Sequence, residues 1–589
     1  MIALIVLGSL VVFAAAYMFY GGFLSRQVKL DNSRVTPAVE INDGVDFVPA
    51  KANLLMGQHF SAIAAAGPIV GPVAAGLVYG WVPALMWIIL GSIFIGGVHD
   101  FSSLVASIRH RGASIAQVVR ENMSRTSYIL FLCFIWLTLV YVIIAFADLT
   151  ANTFRTTVKG EAFGPGVAAS SALYLLAGVV MGLLLKLRAP LKLTTAIFVP
   201  LVLFIVWLGP NMPSVVLEAL ASLSAKQWDM ILLGYCFLAS VLPMWLLLQP
   251  RGYLGGWLLY LMLAAGLIGA LGGEAISWIM NLPAEKTIAL TYPAFGSGAA
   301  KPLTGGVVPL MWPFLFITVA CGACSGFHGI VSSGTTSKQL ACETDARKVG
   351  YGAMLLEGLV AVLALTTVMI LPKGTTGNPD MLYAEGIARY LGLLGLPVKT
   401  GLAFALLAFS TFVYDTLDVC TRLARYIFQE LAGLKGVIGG LVATAVTLLA
   451  PLGFFLLVDR ADAWRVAWNI FGASNQLLAS LTLMAVAVWL AATGRRVFYV
   501  VIPMLFMMAM AMWSLAVQVW PFVIRLIAQS TMDSNLMIVG VAGLILLSLS
   551  VLLLAEAVRF LMGKRGKTAK PEPAGAGADR AKVRQQAGD

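Results

Sequence analysis

The chain has 589 residues, of which 60% are hydrophobic and only 11% are charged, and its mean hydropathy is +0.91. Repeated apolar runs of about 20 residues are typical of a polytopic helical membrane protein, so this composition excludes a soluble globular protein of the same length. The net charge of +12 indicates membrane topology rather than nucleic-acid binding, because Lys and Arg accumulate in cytoplasmic loops. We therefore expect the lipid bilayer as a partner and no nucleic acid.

Apolar segments predict an all-α integral membrane protein with about 15 transmembrane helices. The first run, 1–23, lacks a basic start and a cleavage site, so we interpret it as a retained span. The predicted spans are 1–23, 56–80, 81–108, 127–150, 167–187, 190–209, 229–249, 254–273, 307–336, 351–371, 400–421, 436–457, 470–492, 497–519 and 535–562.

The loop charges orient these spans. If the basic tail is cytoplasmic and the spans alternate, the inner loops carry most of the 39 Lys and Arg, Arg251 among them. The positive-inside rule then places the N-terminus outside and the C-terminus in the cytoplasm. The loops 281–305 and 372–399, which contain Pro, Gly and Thr, are expected outside.

Span 56–80 contains two Gly-Pro steps, Gly67-Pro68 and Gly71-Pro72. Proline lacks an amide proton and glycine weakens a helix, so these steps predict an interruption. Backbone groups freed inside a membrane must face protein, water or a ligand. The segment therefore indicates a discontinuous helix of the kind with which transporters bind a solute, and a kinked packing helix is the alternative.

Span 307–336 predicts a second discontinuous helix, because glycines and polar residues interrupt it. In the predicted topology it runs opposite to span 56–80, as an inverted-repeat transporter requires. Its candidate substrate-binding residues are Ser325, Gly326, His328, Ser332 and Ser333.

Each broken span carries one histidine, His59 or His328. Polar side chains inside a membrane are costly, which makes them functional candidates by default. Either histidine can bind a substrate carboxylate or carry a coupled proton, since histidine titrates near neutral pH. The alternative is a structural hydrogen bond to a backbone carbonyl.

The two broken spans suggest a division into an inverted five-helix repeat with extra helices. The proposed units are 1–55 (first transmembrane helix and inner loop), 56–209 (first repeat), 229–273 (inserted helix pair), 307–492 (second, inverted repeat), 497–562 (peripheral helices) and 563–589 (disordered basic cytoplasmic tail).

Span 400–421 offers candidates for a coupling cation. Ser410 and Thr411 lie deep in the span, where paired hydroxyls can complete a Na⁺ site, and Asp415 follows about one turn later. Asp418 and Arg422 are spaced by four residues, so we expect them to form an ion pair.

Other intramembrane charges have plainer interpretations. We expect His99 and Asp100 to form an interfacial ion-pair cluster near Arg109, and Asp148 and Glu274 to be solvated at outer span ends. The carboxamides Asn475 and Gln476, at the start of span 470–492, are expected to cap that helix or to join helices.

Catalytic motifs are poorly represented. Cys321 and Cys324 have CxxC spacing in an apolar span, and a metal site that includes His328 is a minor alternative. The chain has no Walker motif, Gly-x-Ser-x-Gly elbow or His-Glu-x-x-His. We therefore expect no enzyme, no ATP-driven transport and no cofactor beyond a coupling ion.

Several of these stretches resemble the carbon starvation protein A family of bacterial membrane transporters. In that family a second His often stands at the position of Gln58 and a Gln at that of His99. The matching stretches are GQHF (57–60), AGPIVGP (66–72), FLFIT (314–318), CGACSGFHG (321–329), SSGTT (332–336), DT (415–416), TRLARYIFQE (421–430) and FGASNQLL (471–478).

The resemblance implies uptake of peptides or pyruvate across the bacterial inner membrane when carbon is scarce, and it implies an inverted-repeat core of the LeuT/APC type. Our main hypothesis is a symporter for a small carboxylate nutrient, coupled to H⁺ or Na⁺, with the substrate between Gly67–Pro72 and Ser325–Gly329. The alternatives are a membrane sensor or binding subunit that moves no solute, and an intramembrane metal enzyme that uses His59, His328 and Cys324.

Overall fold

The computed structural model describes residues 1–563 except 45, 65, 159, 282–286, 297–309, 458–462 and 533. Within these residues the fold is helical, apart from a hairpin of β1 (Thr157–Val158) and β2 (Glu161–Ala162) and one isolated bridge. The prediction of an all-α integral membrane protein is confirmed. The predicted disordered tail lies outside the described residues from 564 onward, as does much of the loop 281–305.

The helices of the first half are α1 (Ile2–Val28), α2 (Pro37–Ile41), α3 (Ala52–Ile63), α4 (Gly67–Tyr79), α5 (Trp81–Gly91), α6 (Gly97–Arg109), α7 (Ile115–Asn122), α8 (Arg125–Thr153), α9 (Gly164–Lys186), α10 (Leu191–Leu208), α11 (Ser214–Ala221), α12 (Ala225–Val241) and α13 (Leu248–Ile279). Those of the second half are α14 (Met311–Thr318), α15 (Gly326–Val331), α16 (Ala353–Met369), α17 (Pro379–Leu393), α18 (Val398–Ala432), α19 (Gly436–Leu457), α20 (Ala463–Ala492), α21 (Phe498–Ile527) and α22 (Ser534–Gly563).

Local sequence explains where several helices begin and end. Apolar runs become helices because only a helix satisfies its own backbone groups in lipid. Ser224 and Gln227 form a reciprocal capping box at the start of α12, and Ser124 accepts a hydrogen bond from Ser127 N at the start of α8. Gly433 ends α18 with a left-handed φ of 69°, which favours glycine.

Twelve helices of the described residues are long and apolar enough to cross a membrane, and the bent pair of α3 and α4 makes thirteen. This fits a multi-pass membrane protein. The count of about 15 and the division into repeats stay predictions. The external loop expected over 372–399 is wrong in part, because α17 forms within it. Its charged residues Asp380, Glu385 and Arg389 lower the hydropathy and conceal the helix.

The two broken segments, α3–α4 and 311–336, lie side by side and run in opposite directions. The second segment consists of α14, a non-helical stretch with a turn at 321–323, α15 and a π-helical turn, Ser332–Thr336. As the residue numbers rise along the first segment, those of its neighbours in the second segment fall. The neighbouring pairs are Ala50 with Leu340, His59 with Thr336, Gly67 with Cys321 and Gly71 with Val319.

The loops gather on two opposite faces. On one face, which we call the basic face, Glu343 pairs with Arg109 and Arg34, and Arg495 donates to the carbonyl of Gln27. On the opposite face Lys399 pairs with Glu161, Val82 N donates to Ala294 O, and Thr291 Oγ1 donates to Leu371 O. Loops that the charge pattern assigned to one side therefore meet on one face. That this face is cytoplasmic stays a prediction.

Candidate functional site

The two broken segments touch where their helices are interrupted. α3 and α4 meet at a bend of 44°. A methyl group on Gly71 would lie 3.2 Å from Cα of Val319, and one on Gly322 would lie 3.4 Å from Cα of Pro68. These small residues therefore let two backbones approach closely. The predicted wall residues Gly67, Pro68, Gly71 and Pro72 are all buried.

Side chains from other helices satisfy the freed backbone groups of the second break. Asn475 Oδ1 accepts from Phe327 N at 2.9 Å and lies 3.2 Å from Ser325 Oγ. Asn475 and Gln476 thus connect α20 to the second broken segment, as expected of carboxamides that join helices. The carbonyl acceptors are Val319 (from Trp87 Nε1, 3.1 Å), Gly322 (from Ser92 Oγ, 3.1 Å) and Cys324 (from Gln476 Nε2, 2.7 Å).

Two of the predicted substrate residues, Ser325 and Gly326, consequently face α20 rather than the first break. A methyl group on Gly326 would lie 2.5 Å from Ala479 N. The residues that face Gly67–Pro72 are instead 319–322, about one turn earlier. In this conformation the described residues of the two breaks touch directly, Gly67 at Cys321 and Gly71 at Thr318 and Val319.

His59 lies beside a small cavity, which we call the His59 cavity. Its Nδ1 is 2.8 Å from Thr336 Oγ1, and its Nε2 is buried with no hydrogen-bond partner among the described residues. The cavity also touches Gln58, Thr335 and Asp415, and its volume of about 10 Å³ admits about one water molecule. Entry of a solute larger than water therefore requires α3, α13, α18 or the second broken segment to move.

Four titratable side chains, His99, Asp100, His328 and Glu357, form a second buried group, which we call the quartet. Asp100 Oδ1 lies 2.7 Å from His99 Nδ1, and Asp100 Oδ2 lies 2.9 Å from His328 Nδ1. His328 Nε2 lies 3.4 Å from Glu357 Oε2. All four side chains have 0% exposure, so each charge depends on the others for stabilisation.

The expected interfacial cluster of His99, Asp100 and Arg109 is wrong. Arg109 lies nine residues after Asp100, roughly 13 Å further along α6, and pairs with Glu343 at 2.5 Å on the basic face. Asp100 points into the core instead. Its partner His328 is remote in sequence, so spacing along one helix did not indicate the contact.

A third buried group centres on Arg251, which is fully buried. Its Nη2 lies 2.5 Å from Asp415 Oδ1 and its Nη1 lies 2.6 Å from Asp418 Oδ2. Tyr235 donates to Asp418 at 2.7 Å, and Ser61 hydrogen-bonds Asp415. One planar guanidinium thus serves two carboxylates that are one helical turn apart.

Two sequence interpretations fail at this group. Arg251 is not a loop charge, because α13 begins at Leu248 and includes it. Asp418 does not pair with Arg422, whose guanidinium donates to the carbonyls of Ala239 and Leu242. Apolar runs flank Arg251 on both sides in the sequence, and this pattern could have indicated a buried charge.

The three candidate cation residues have different contacts. Ser410 donates to Leu407 O at 2.9 Å and lies 3.1 Å from Ser171 Oγ. Thr411 Oγ1 is buried with no hydrogen-bond partner in the described chain, and Asp415 is held by Arg251.

A vestibule of about 1130 Å³ opens on the basic face and reaches the second broken segment at Ser333 and Gly334. Ser333 Oγ donates to Gly329 O at 2.7 Å and accepts from Ile115 N at 3.3 Å. Ser332, its neighbour, is buried, and its hydroxyl has no hydrogen-bond partner among the described residues. The two candidate serines therefore lie in different environments.

Two further expectations can be placed. Asp148 is 1% exposed, so its expected solvation is wrong; α8 continues to Thr153 and carries Asp148 more than a turn inside the helix. Glu274 pairs with the amino group of Met1 and is 30% exposed. In the described part of the chain, no three His, Cys, Asp or Glu side chains are arranged to hold a metal ion.

Comparison with known proteins identifies the family. The family model for "Carbon starvation protein CstA" matches residues 1–378 and 374–514. The chain belongs to this family. It is 32% identical over 563 residues to the "Peptide transporter CstA" of Helicobacter pylori, covering 83% of this chain and 78% of the relative. It is 30% identical over 619 residues to the "Pyruvate/proton symporter BtsT" of Escherichia coli, covering 88% and 81%.

The relatives are transporters by name, and this CstA-family chain is accordingly a membrane transporter. Among solved structures, a mutant of the manganese transporter of Eremococcus coleocola aligns with 88% of this chain and 99% of its own, at 12% identity and a TM-score of 0.45. Gln58 lines the His59 cavity, and His99 belongs to the quartet.

Proposed function

We propose that this protein is a secondary active transporter that imports a small carboxylate nutrient, a peptide or pyruvate, by symport with H⁺ across the bacterial inner membrane during carbon starvation. The observation that carries the proposal is the vestibule, which leads from the basic face to Ser333 and Gly334. The same broken segment lines the His59 cavity with Thr335 and Thr336. A central site at a broken helix, approached from one face, is the arrangement that alternating access requires.

On the opposite face, the described part of the loop after α13 packs against the end of α4 and the start of α5, which supports this proposal. Gly296 N donates to Tyr79 O at 2.7 Å, and Val82 N donates to Ala294 O at 3.0 Å. These backbone contacts join the end of α4 to the loop after α13. The conformation is thus open on the basic face, which the positive-inside rule assigns to the cytoplasm.

The vestibule has the charge expected of a path for carboxylates. A potential that is positive overall attracts anions and lowers the energy of their passage. Its cationic side chains are Arg109, Arg111, Arg120, Lys338 and Lys435, and its acidic ones are Asp46, Glu121 and Glu430.

The His59 cavity offers groups for both candidate substrates. The free Nε2 of His59 suits a carboxylate, which pyruvate and peptides share. A peptide also presents an α-ammonium group, and Asp415 lines the same cavity. Binding of either substrate would compete with the contacts of Thr336 and Arg251 and so couple loading to movement.

Coupling to H⁺ rather than Na⁺ is favoured by the contacts around α18. A Na⁺ site needs several oxygen ligands directed at one point, as hard cations do in general. Ser410 turns to Ser171, and the guanidinium of Arg251 already neutralises Asp415 and Asp418. A fixed cation thus stands where a coupling cation would need these carboxylates.

Uptake by purified protein in liposomes tests the proposal. We expect accumulation of labelled pyruvate or dialanine under an inward H⁺ gradient, abolished by a protonophore, and no stimulation by an inward Na⁺ gradient in the presence of the protonophore. Liposomes without protein are the control. Substrate binding without uptake under either gradient would favour the sensor alternative and contradict transport.

A further inference from the structure

We infer that the quartet of His99, Asp100, His328 and Glu357 binds the coupled proton, and that His328 and Glu357 share it. This inference rests on the proposed H⁺ symport and names the site at which the proton travels. The quartet lies on α6, α15 and α16, and the His59 cavity touches none of its four side chains. Proton and substrate would therefore occupy different sites of the same broken segment.

The hydrogen-bond geometry assigns the protons of the two imidazoles. Both Nδ1 atoms face Asp100, at 2.7 Å for His99 and 2.9 Å for His328. An ionised Asp100 accepts from both, so each Nδ1 carries a hydrogen and each neutral ring exposes a lone pair at Nε2. The lone pair of His328 then faces Glu357 Oε2 across 3.4 Å. One proton between these two atoms turns a contact of two acceptors into a donor and an acceptor.

The net charge of the quartet explains why this proton is held and then released. With the shared proton the quartet carries one negative charge, on Asp100, and two N–H groups stabilise it. Without the proton, Glu357 becomes a second carboxylate, and both of its oxygens are buried with no hydrogen-bond partner among the described residues. Burying such an uncompensated charge is strongly unfavourable. The proton therefore stays until water or a rearrangement reaches Glu357.

The titratable neighbours do not supply a compensating positive charge in the described structure. The other such groups that interact with the quartet are His59 on α3 and the thiols of Cys321 and Cys324 in the second break. A thiolate would add negative charge. The shared proton is thus the nearest available source of neutralisation.

π-helical turns provide a second, independent observation. The three π-helical segments of the described chain are Ser92–Gly96, Ser332–Thr336 and Arg347–Gly352. They lie within three, four and five residues of His99, His328 and Glu357 respectively. π-Helical turns are rare and occur often at functional sites, because they are easily shifted or rewound. Each helix of the quartet therefore carries a place where it can change register.

The vestibule gives the proton a route to the basic face. Ser333, at its inner end, donates to the carbonyl of Gly329, and a methyl group on Gly329 would lie 2.8 Å from the His99 ring. Less than two turns of helix separate Ser333 from His328. A small opening of this segment would bring vestibule water to the quartet. Release there transfers the proton from the His328–Glu357 pair to water and leaves Glu357 ionised.

Glu357→Gln tests the inference, because glutamine can donate an N–H to His328 but has no proton to release. In liposomes, we expect this variant to lose at least tenfold of the H⁺-driven accumulation of pyruvate or dialanine. We expect exchange of external labelled substrate for internal unlabelled substrate to stay within about twofold of the wild type, since exchange needs no proton release. Asp229→Asn is the matched control: Asp229 is a buried acid on α12, outside the quartet and the cavity, and its amide variant should keep both activities.

The outcomes separate this inference from the proposed function. If the wild type shows no gradient-driven uptake, the proposed symport fails. If the wild type accumulates substrate and Glu357→Gln does so equally well, only the quartet inference fails. If Glu357→Gln loses both activities, Asp100→Asn decides. Retained exchange with lost accumulation in that variant supports the inference, and loss of exchange there overturns it.

Discussion

Arg251 holds two carboxylates in the buried interior of the helix bundle. Its guanidinium is 0% exposed and lies 2.5 Å from Asp415 and 2.6 Å from Asp418. Replacing a buried ion pair as a whole is often nearly neutral, whereas removing one partner leaves an uncompensated charge. This difference allows the role of the residue to be tested through stability alone.

We expect Arg251→Met to destabilise the protein by about 3–5 kcal/mol, because both aspartates lose their cation. Adding Asp415→Asn and Asp418→Asn should restore most of the lost thermal stability, measured as the midpoint of unfolding in detergent. Arg422→Met is the matched control: Arg422 is 3% exposed, but its recorded hydrogen bonds go to the backbone carbonyls of Ala239 and Leu242. The two asparagines should not rescue it. Equal rescue of both arginine variants would contradict the assigned pairing.

Individual contacts of this kind were beyond sequence reasoning for a definite reason. The partners of the quartet, such as Asp100 and His328, are 228 residues apart, and only the packing of helices brings them together. The polarity of each residue inside an apolar run did mark it as a candidate. The choice of partner depends on helix rotation and on the start of α13, and neither follows from hydropathy.

The broken helices were predictable as elements because their signal is local. The interruption lies between Ile63 and Gly67, directly before the Gly67-Pro68 step, which begins α4. The second step, Gly71-Pro72, lies inside α4 and does not break it. The sequence did not locate the second break within its span, because serines and glycines are spread over most of that span. The structure assigns 319–322 to the contact with the first break and Ser325 to Asn475.

Gly71 is the glycine on which this contact of elements depends most directly. A methyl group there would lie 2.5 Å from Thr318 O and 3.2 Å from Val319 Cα, and both are backbone atoms that cannot rotate away. We expect Gly71→Ala to cost about 1–3 kcal/mol of stability, as overpacking does, and to reduce uptake at least tenfold. The measurements are thermal unfolding and initial uptake rate at matched protein density.

Gly57→Ala is the control within the same broken segment. The nearest atom to a methyl group on Gly57 is Tyr253 Cδ2 at 3.8 Å, an ordinary van der Waals contact. This variant should keep the stability and uptake of the wild type or gain slightly, because alanine favours a helix more than glycine does. Equal losses of stability and uptake in both variants would contradict a special role for the close approach of the two breaks at Gly71.

The division into two inverted repeats stays a prediction at the scale of the whole molecule, and the helix packing shows which contacts it would have to explain. α4 packs on α16, and α15 packs on α6, so each broken segment contacts the helix that follows the other one. The third helices of the two proposed units, α8 and α18, pack on each other. An inverted repeat predicts such reciprocal pairs. The peripheral helices α1, α21 and α22 lie outside this scheme.

The orientation of the molecule in the membrane determines whether the vestibule faces the cytoplasm or the outside. Arg111 on the basic face and Lys399 on the opposite face each have a side chain that is 73% exposed. They form a matched pair for cysteine labelling, because exposure does not favour either site. The positive-inside rule places Arg111 in the cytoplasm and Lys399 outside.

In intact spheroplasts, a membrane-impermeant maleimide should label Lys399→Cys and leave Arg111→Cys unlabelled. Permeabilisation should make both react equally. The parent protein, whose cysteines are buried or half-buried, sets the background. Labelling of Arg111→Cys in intact spheroplasts would show that the orientation is the reverse of the predicted one. The vestibule would then open outward, and the conformation described above would be the one that captures substrate rather than the one that releases it.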